Sequence, residues 1–461
     1  MNYYSTEKNT PPVSFEEALF IGLPPDNGLY MPEEFREVDN SFYSVDNFVD
    51  LSYLIAKTFL DNLIKEEDLY NIISDCYNFP VPLIELKDNI FSLELFHGPT
   101  AAFKDFGARF MSRIMSCFLK GQKKKITILV ATSGDTGSAV ANGFYKVDNI
   151  DVVILYPKGK VSLLQEKQLT TLGENITALE VNGNFDDCQR MVKEAFLDQE
   201  LCSKINLSSA NSINIGRLYP QSFYYFWSFN VLYRKKGVKE VVFCVPSGNF
   251  GNLTAGVFAK KMGTPVKKFI AGTNINDVVP EFLYTGVYAP RASKQTLSNA
   301  MDVGNPSNFK RLIDIYKTKE NMVKEIIGYK VTDAETLNTI ERVYKTDKYL
   351  LDPHGAVGYK AIEMYKKDNT DNIPVILLET AHPAKFKDSI ENNLKVYYDT
   401  VELYPLNENI WQGLNYKDYY PTQYADYFDQ LHLAEYETNN YTAICNNFYI
   451  RKYNCDFVDF I

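Results

Sequence analysis

The sequence predicts an α/β protein built on mostly parallel sheets with helices on both faces. Two observations carry this. From residue 126 onward, short apolar runs alternate with helix-like stretches, the rhythm of repeated strand–helix units. Two glycine-rich loops, Thr132–Ser138 and Pro246–Asn252, each follow an apolar run and precede a helix-like stretch. That is the joint at which such sheets gather ligands, beyond the carboxyl ends of the strands.

The elements follow in order. Residues 1–95 read as mostly helical. Ser14-Phe15-Glu16-Glu17 is a capping box that opens a short helix, and Pro24-Pro25-Asp26-Asn27-Gly28 is the turn that stops it. A second helical stretch is expected over 46–77. Pro80-Val81-Pro82 then breaks the chain before an extended segment, Ile90–Leu95. The strand candidates are Ile126–Ala131, Val152–Leu155, Ile176–Val181, Val241–Val245 and Pro374–Leu378, with helices expected over 162–172, 186–198 and up to about 262. Glu379-Thr380-Ala381-His382 falls at a strand end, as both glycine loops do. Beyond 395 the composition changes: twelve of the 33 tyrosines lie between 397 and 461, with few aliphatics among them. Residues 396–461 read as a separate appendage.

Bulk properties exclude several classes. A chain of 461 residues is long enough for two or three domains. A formal net charge of −10 argues against a nucleic-acid coat, so an anionic ligand needs a local cluster of donors. The cysteines (76, 117, 188, 202, 244, 445 and 455) form no CxxC pair, and the histidines (97, 354, 382 and 432) have no metal-ligand spacing. The start of the chain lacks the apolar core of a signal peptide, and no apolar stretch approaches membrane-spanning length. These features are expected of a reduced, cytoplasmic protein with no metal and no nucleic-acid or membrane partner.

Three segments carry chemistry. Phe96-His97-Gly98-Pro99-Thr100-Ala101-Ala102-Phe103-Lys104-Asp105-Phe106-Gly107 sets one lysine among small and aromatic residues. Desolvation there would lower the Lys104 pKa and expose a nucleophilic amine. On this segment alone, a helix-start lysine snorkelling to water fits equally well. Gly248-Asn249-Phe250-Gly251-Asn252 lets successive amides converge at a helix N-terminus, making a phosphate cup without a charged side chain; a plain tight turn is the alternative. The loop lacks both the Gly-Lys-Ser/Thr of a Walker A motif and the Gly-x-Gly-x-x-Gly of a dinucleotide site. In the first loop, Ser133, Gly134 and Thr136 suit a carboxylate or a ring oxygen. Asp135 suits a ring hydroxyl or the cap of the following helix. Lysine, cup and polar loop at one sheet end meet the needs of pyridoxal 5'-phosphate: a Schiff-base amine, a nest for the phosphate and a partner for the ring nitrogen.

Phe96–Met111, Ala131–Ala141, Tyr156–Lys160, Ser209–Arg217, Val245–Gly256, Ser298–Asp302 and Thr380–Phe386 together, in this order, resemble the threonine synthase family of the pyridoxal phosphate fold type II group. The likeness runs from about residue 2 to about 390. It implies two doubly wound sheets, with a smaller subdomain at about 110–210 inside a catalytic region of 96–395. It implies conversion of O-phospho-L-homoserine and water to L-threonine and phosphate, by a monomer or homodimer. By position, Lys104 is the Schiff-base lysine, Gly248, Asn249, Phe250, Gly251 and Asn252 hold the cofactor phosphate, and Thr380 meets the ring nitrogen. The resemblance sets Ser133–Thr136 beside the ring hydroxyl and the substrate carboxylate. Asn211, Ser212, Asn214 and Arg217 are the candidates for the substrate phosphate, with Lys158, Lys160 and Arg109 as alternatives. His97 and His354 are read as makers of structural hydrogen bonds, and His382 as holding the turn after Thr380. Two rivals stay open: another lyase of the group, such as a threonine dehydratase, and a catalytically silent metabolite-binding paralog.

Overall fold

Six strands form the larger sheet, in the order Ile326–Lys330, Val266–Thr273, Val241–Pro246, Val375–Glu379, Ile90–Glu94, Leu83–Glu85. All neighbours run parallel except the last pair, which is antiparallel. Four parallel strands form the second sheet, in the order Ile176–Val181, Ile150–Pro157, Ile126–Ala131, Leu207–Ser208. The computed structural model describes residues 1–60, 63–132 and 134–386. The tyrosine-rich stretch 396–461 therefore lies outside the described residues.

Helices cover both sheets, and this explains the strand sequences. Ile126–Ala131, Val241–Pro246 and Val375–Glu379 are buried at every position, so they read as continuous apolar runs rather than alternating ones. The fold class expected from the sequence is the one observed. Four strands of these sheets escape the sequence reading, among them the very short Leu83–Glu85 and Leu207–Ser208. Val266–Thr273 opens with Lys267 and Lys268, which obscure its apolar run, and Ile326–Lys330 is a half-buried edge strand.

The beginning of the chain departs from the helical expectation. Asn2–Ser5 pairs with Val13–Ser14 and with Tyr30–Pro32 in a small antiparallel sheet. These strands are too short to show a period. The Ser14 capping box does open the helix Phe15–Ile21, with both reciprocal hydrogen bonds to Glu17 formed. The stretch 46–77 is two helices, Phe48–Leu60 and Glu66–Cys76. Leu83–Glu85 and Ile90–Glu94 belong to the larger sheet, so they are part of its scaffold rather than of a helical segment.

The lysine segment is fastened to that sheet. The Leu95 amide donates to Glu379 O at 3.0 Å, the Phe103 amide to Thr380 O at 2.8 Å and the His382 amide to Ala101 O at 3.0 Å. These bonds bring Thr380 against the start of the helix Lys104–Leu119. Phe106, in the first turn of that helix, is fully buried, with its ring edge-to-face with Phe48, Phe79 and Tyr224 at 5.2–5.6 Å. Aromatic contacts of this kind fix the helix more firmly than its backbone alone.

Candidate active site

The carboxyl ends of both sheets face one cavity of about 250 Å³. Lys104, Thr136, Asn211, Ser212, Arg217, all of Gly248–Asn252 and Thr380 line it. Ser133 lies outside the described residues. Gly134, Asp135 and Asn214 do not line the cavity.

Lys104 sits half-buried at the helix start, its Nζ 6.0 Å from the centre of the Phe103 ring. Burial brings its ammonium down from 10.5 to about 8; Asp135 opposes this, while Arg217 and Lys385 reinforce it. The amine is therefore not a solvated surface charge.

The second loop forms the cup. Phe250 takes a left-handed backbone, φ 58°, and the helix Gly251–Lys261 starts with no side-chain cap. The amides of Gly248, Asn249, Phe250, Gly251 and Asn252 find no acceptor among the described residues. Gly248 packs so closely that a methyl group there would lie 2.7 Å from Met301 Cα and 2.8 Å from Ala300 O. The Asn252 side chain accepts from Tyr224 Oη (2.7 Å) and Tyr225 Oη (2.8 Å), and its Nδ2 is buried without an acceptor. Asn249 Nδ2 donates to Ser212 Oγ at 2.6 Å, which ties the cup to the 209–217 segment.

The first loop is held differently from the expectation. Thr132 Oγ1 accepts from the amides of Gly134 (3.0 Å) and Gly137 (2.8 Å). Gly134 has φ 139°, and a side chain there would run into Gln165. Asp135 neither faces the cavity nor caps the helix. Its carboxylate pairs with Lys385 Nζ at 2.5 Å and accepts from Gln165 Nε2 at 2.9 Å. Both members of the pair are buried, 3% and 0% exposed. Burial alone would raise the Asp135 pKa, but the charges of Lys385 and Lys104 outweigh it and hold the carboxyl ionised.

Asn214 likewise stands outside the cavity lining. It caps the short helix Ile215–Leu218 and donates to Leu19 O and Ser209 O, both at 2.9 Å, so its polar atoms are spent on the scaffold. Arg217 fits its expectation better. Its guanidinium is buried and, among the described residues, bonds to the carbonyls of Ala210 and Lys104, with no acceptor there for Nε. No carboxylate pairs with it among the described residues, and burial lowers its pKa to about 10. Among the alternatives, Lys158 pairs with Glu180 at the surface and Lys160 is exposed. Arg109 is buried against the carbonyls of Cys76 and Asp75, away from the cavity.

Sequence reasoning missed Lys385 and Arg311. Lys385 stands in the Thr-Ala-His-Pro-Ala-Lys-Phe motif, and only its burial reveals its part. Arg311 is fully buried and donates to Tyr30 O, Ser212 O and Ile213 O, holding the 212–213 backbone beside the cup. His382 is neutral, pushed down to about 3 by burial and by the neighbouring His97 and Lys385.

Comparison with known proteins agrees with this geometry. The profile described as "Pyridoxal-phosphate dependent enzyme" matches residues 78–393, and the one described as "Threonine synthase N terminus" matches residues 2–77. Threonine synthase of Escherichia coli (strain K12) is 44% identical over 396 residues, 85% of this chain and 90% of that protein. The chain belongs to the threonine synthase family. It is a pyridoxal-phosphate-dependent enzyme of fold type II. The crystal structure of the yeast family member superposes with a TM-score of 0.81, at 35% identity and with 94% of each chain covered. That of the pyridoxal-phosphate-bound member from Brucella melitensis gives 0.80, at 37% identity, covering 85% of this chain and 91% of that one.

Asp135→Asn would leave Lys385 buried without its counter-charge. It is expected to lower unfolding free energy by about 3 kcal/mol or more, measured by denaturant titration. An unchanged midpoint and slope would show that the pair does not stabilise the fold.

Proposed function

We propose that this chain converts O-phospho-L-homoserine and water to L-threonine and phosphate, using Lys104 and the amides of Gly248–Asn252. The observation that carries this reading is the convergence of a desolvated amine and five free amides in one cavity. Those residues fit pyridoxal phosphate. The uncapped helix start accepts a phosphate without a counter-ion, and the amine is basic enough to bond an aldehyde yet is lowered towards neutrality. When bound, the cofactor supplies an aldehyde for Schiff-base attachment and a ring that spreads negative charge from the substrate α-carbon.

The chain's own residues do the rest. Gly248–Asn252 hold the cofactor phosphate, and Thr380 offers the ring nitrogen a neutral hydroxyl. Lys104 Nζ, which would hold the cofactor, is the group placed to remove the α-proton and later return it. A conjugate acid near 8 suits both directions of that transfer. Thr136, the described member of the 133–136 loop that lines the cavity, receives the substrate carboxylate. Arg217, with no carboxylate of its own, receives the substrate phosphate together with Asn211 and Ser212. Asp135 and Lys385 act from behind, setting the charge around Lys104. Residues 110–210 are proposed as the smaller subdomain and the rest of 96–395 as the larger. The enzyme is read as cytoplasmic and as a monomer or homodimer, acting on small molecules alone; the overall negative charge and the free cysteines support this reading.

Lys104→Ala is expected to abolish both the visible absorbance of the bound cofactor and phosphate release from O-phosphohomoserine. In the unaltered chain, cofactor uptake by the apoprotein should quicken as pH rises, with an inflection near 8 rather than 10.5, because only the deprotonated amine attacks. Full turnover in the Ala variant would remove Lys104 from the chemistry. Arg217→Ala should raise KM for O-phosphohomoserine about tenfold or more with cofactor still bound, as loss of a charged hydrogen-bond donor does. Unchanged kinetics would take Arg217 out of the phosphate site.

A further inference from the structure

The Val375–Glu379 strand ends on a side chain that takes no part in the chemistry above. Glu379 is fully buried, and neither carboxyl oxygen receives a hydrogen bond among the described residues. The carboxyl lies against Gly355, where an added methyl group would overlap it. An ionised carboxylate in that place would have no donor at full hydrogen-bond geometry, the Asp352 amide being the one main-chain donor that acts on it.

Its polar neighbour is Asp352, whose carboxylate is already an acceptor. Asp352 Oδ1 takes the His354 amide at 2.8 Å and His354 Nδ1 at 2.5 Å, while Oδ2 takes the Gly355 amide at 3.3 Å. Glu94 and Tyr349 also face Glu379, and they bond to each other at 2.9 Å. Burial, then the charges of Asp352 and Glu94, push the Glu379 carboxyl well above the ordinary range. On the far side, His354 Nε2 accepts the Ala300 amide at 3.2 Å, which assigns the imidazole proton to Nδ1. Ala300 and Met301 are the residues on which Gly248 packs at the mouth of the cup. His354 itself lines the cavity.

We infer that Glu379 is a neutral carboxylic acid donating its proton to Asp352, and that the chain Glu379–Asp352–His354–Ala300 fixes the wall of the cup at Gly248. Glu379 and His354 are then positioning residues. The consequence for cofactor binding rests on the reading of Gly248–Asn252 as the cofactor-phosphate site. The protonation of Glu379 does not.

Infrared spectra of the holoenzyme at neutral pH, with isotope-labelled glutamate, read this group directly. A label-sensitive carboxylic-acid band is expected, and Glu379→Gln should remove it. Because the Gln amide also donates to Asp352, that variant should keep the dissociation constant of pyridoxal phosphate within about twofold. His354→Phe should weaken it about tenfold and shift the phosphorus resonance of the bound cofactor. Absence of the band overturns the inference, and so does a Glu379→Gln variant that loses cofactor as readily as His354→Phe. An unmoved phosphorus resonance in His354→Phe overturns the link to the cup, whatever the fate of Glu379→Gln. Failure of the unaltered chain to bind pyridoxal phosphate at all would instead strike the proposed function, with the infrared band still deciding the state of Glu379.

Discussion

The buried ion pair between Asp135 and Lys385 joins the two sheets where their strands end. Asp135 opens the helix after Ile126–Ala131 of the smaller sheet, and Lys385 follows Val375–Glu379 of the larger one. With both groups out of water, each is tolerable only in the presence of the other. Gln165 on Asp135 and Thr100 O on Lys385 add one hydrogen bond to each member, at 2.9 Å each. The Thr100 contact matters because Thr100 stands four residues before Lys104. One pair therefore fixes the sheet-to-sheet register, the approach to the lysine and part of the field that the lysine feels.

The cup works on the opposite principle. It presents no side-chain charge, only peptide dipoles. Amides cannot titrate or swing away, and a helix start aims them together. The requirement is rigid backbone. Phe250 holds a left-handed conformation, Gly248 admits no side chain against Met301, and Arg311 pins the neighbouring 212–213 carbonyls. An arginine with only carbonyl partners costs stability through desolvation, and burial lowers its pKa to about 9. Here that cost holds a loop in place.

Much of this was legible in the sequence, for identifiable reasons. Strands buried on both faces, such as Val241–Pro246, announce themselves as apolar runs, and glycine loops mark their ends. Lys104, Thr136, the 248–252 loop and Thr380 stand out in the sequence because backbone geometry dictates their local pattern, and they line one cavity. Asp135 and Asn214 do not line it, and the sequence does not tell, because a polar residue in a polar loop reads the same whether it faces ligand or scaffold. Their partners, Lys385 and Leu19 O, lie 250 and 195 residues away. Pairing at that separation leaves no local trace. The small antiparallel sheet at the start was illegible for a related reason, since strands of two to four residues show no period.

The same charges explain how an acidic protein attracts anionic ligands. The chain carries −10 overall, so its distant field opposes a phosphorylated substrate. At Lys104 the balance reverses: two cations, Arg217 and Lys385, face it against one carboxylate, Asp135. Asp135 is neutralised by Lys385 at 2.5 Å, and Arg217, which feels the charge of Asp105 but has no carboxylate bonded to it among the described residues, is a cation on the cavity wall. At contact distance one buried guanidinium outweighs many screened surface carboxylates, whose influence fades within about 8 Å at physiological salt. Attraction is thereby confined to the cavity. An anion is drawn only once it has reached the place where the lysine amine and the free amides can act on it.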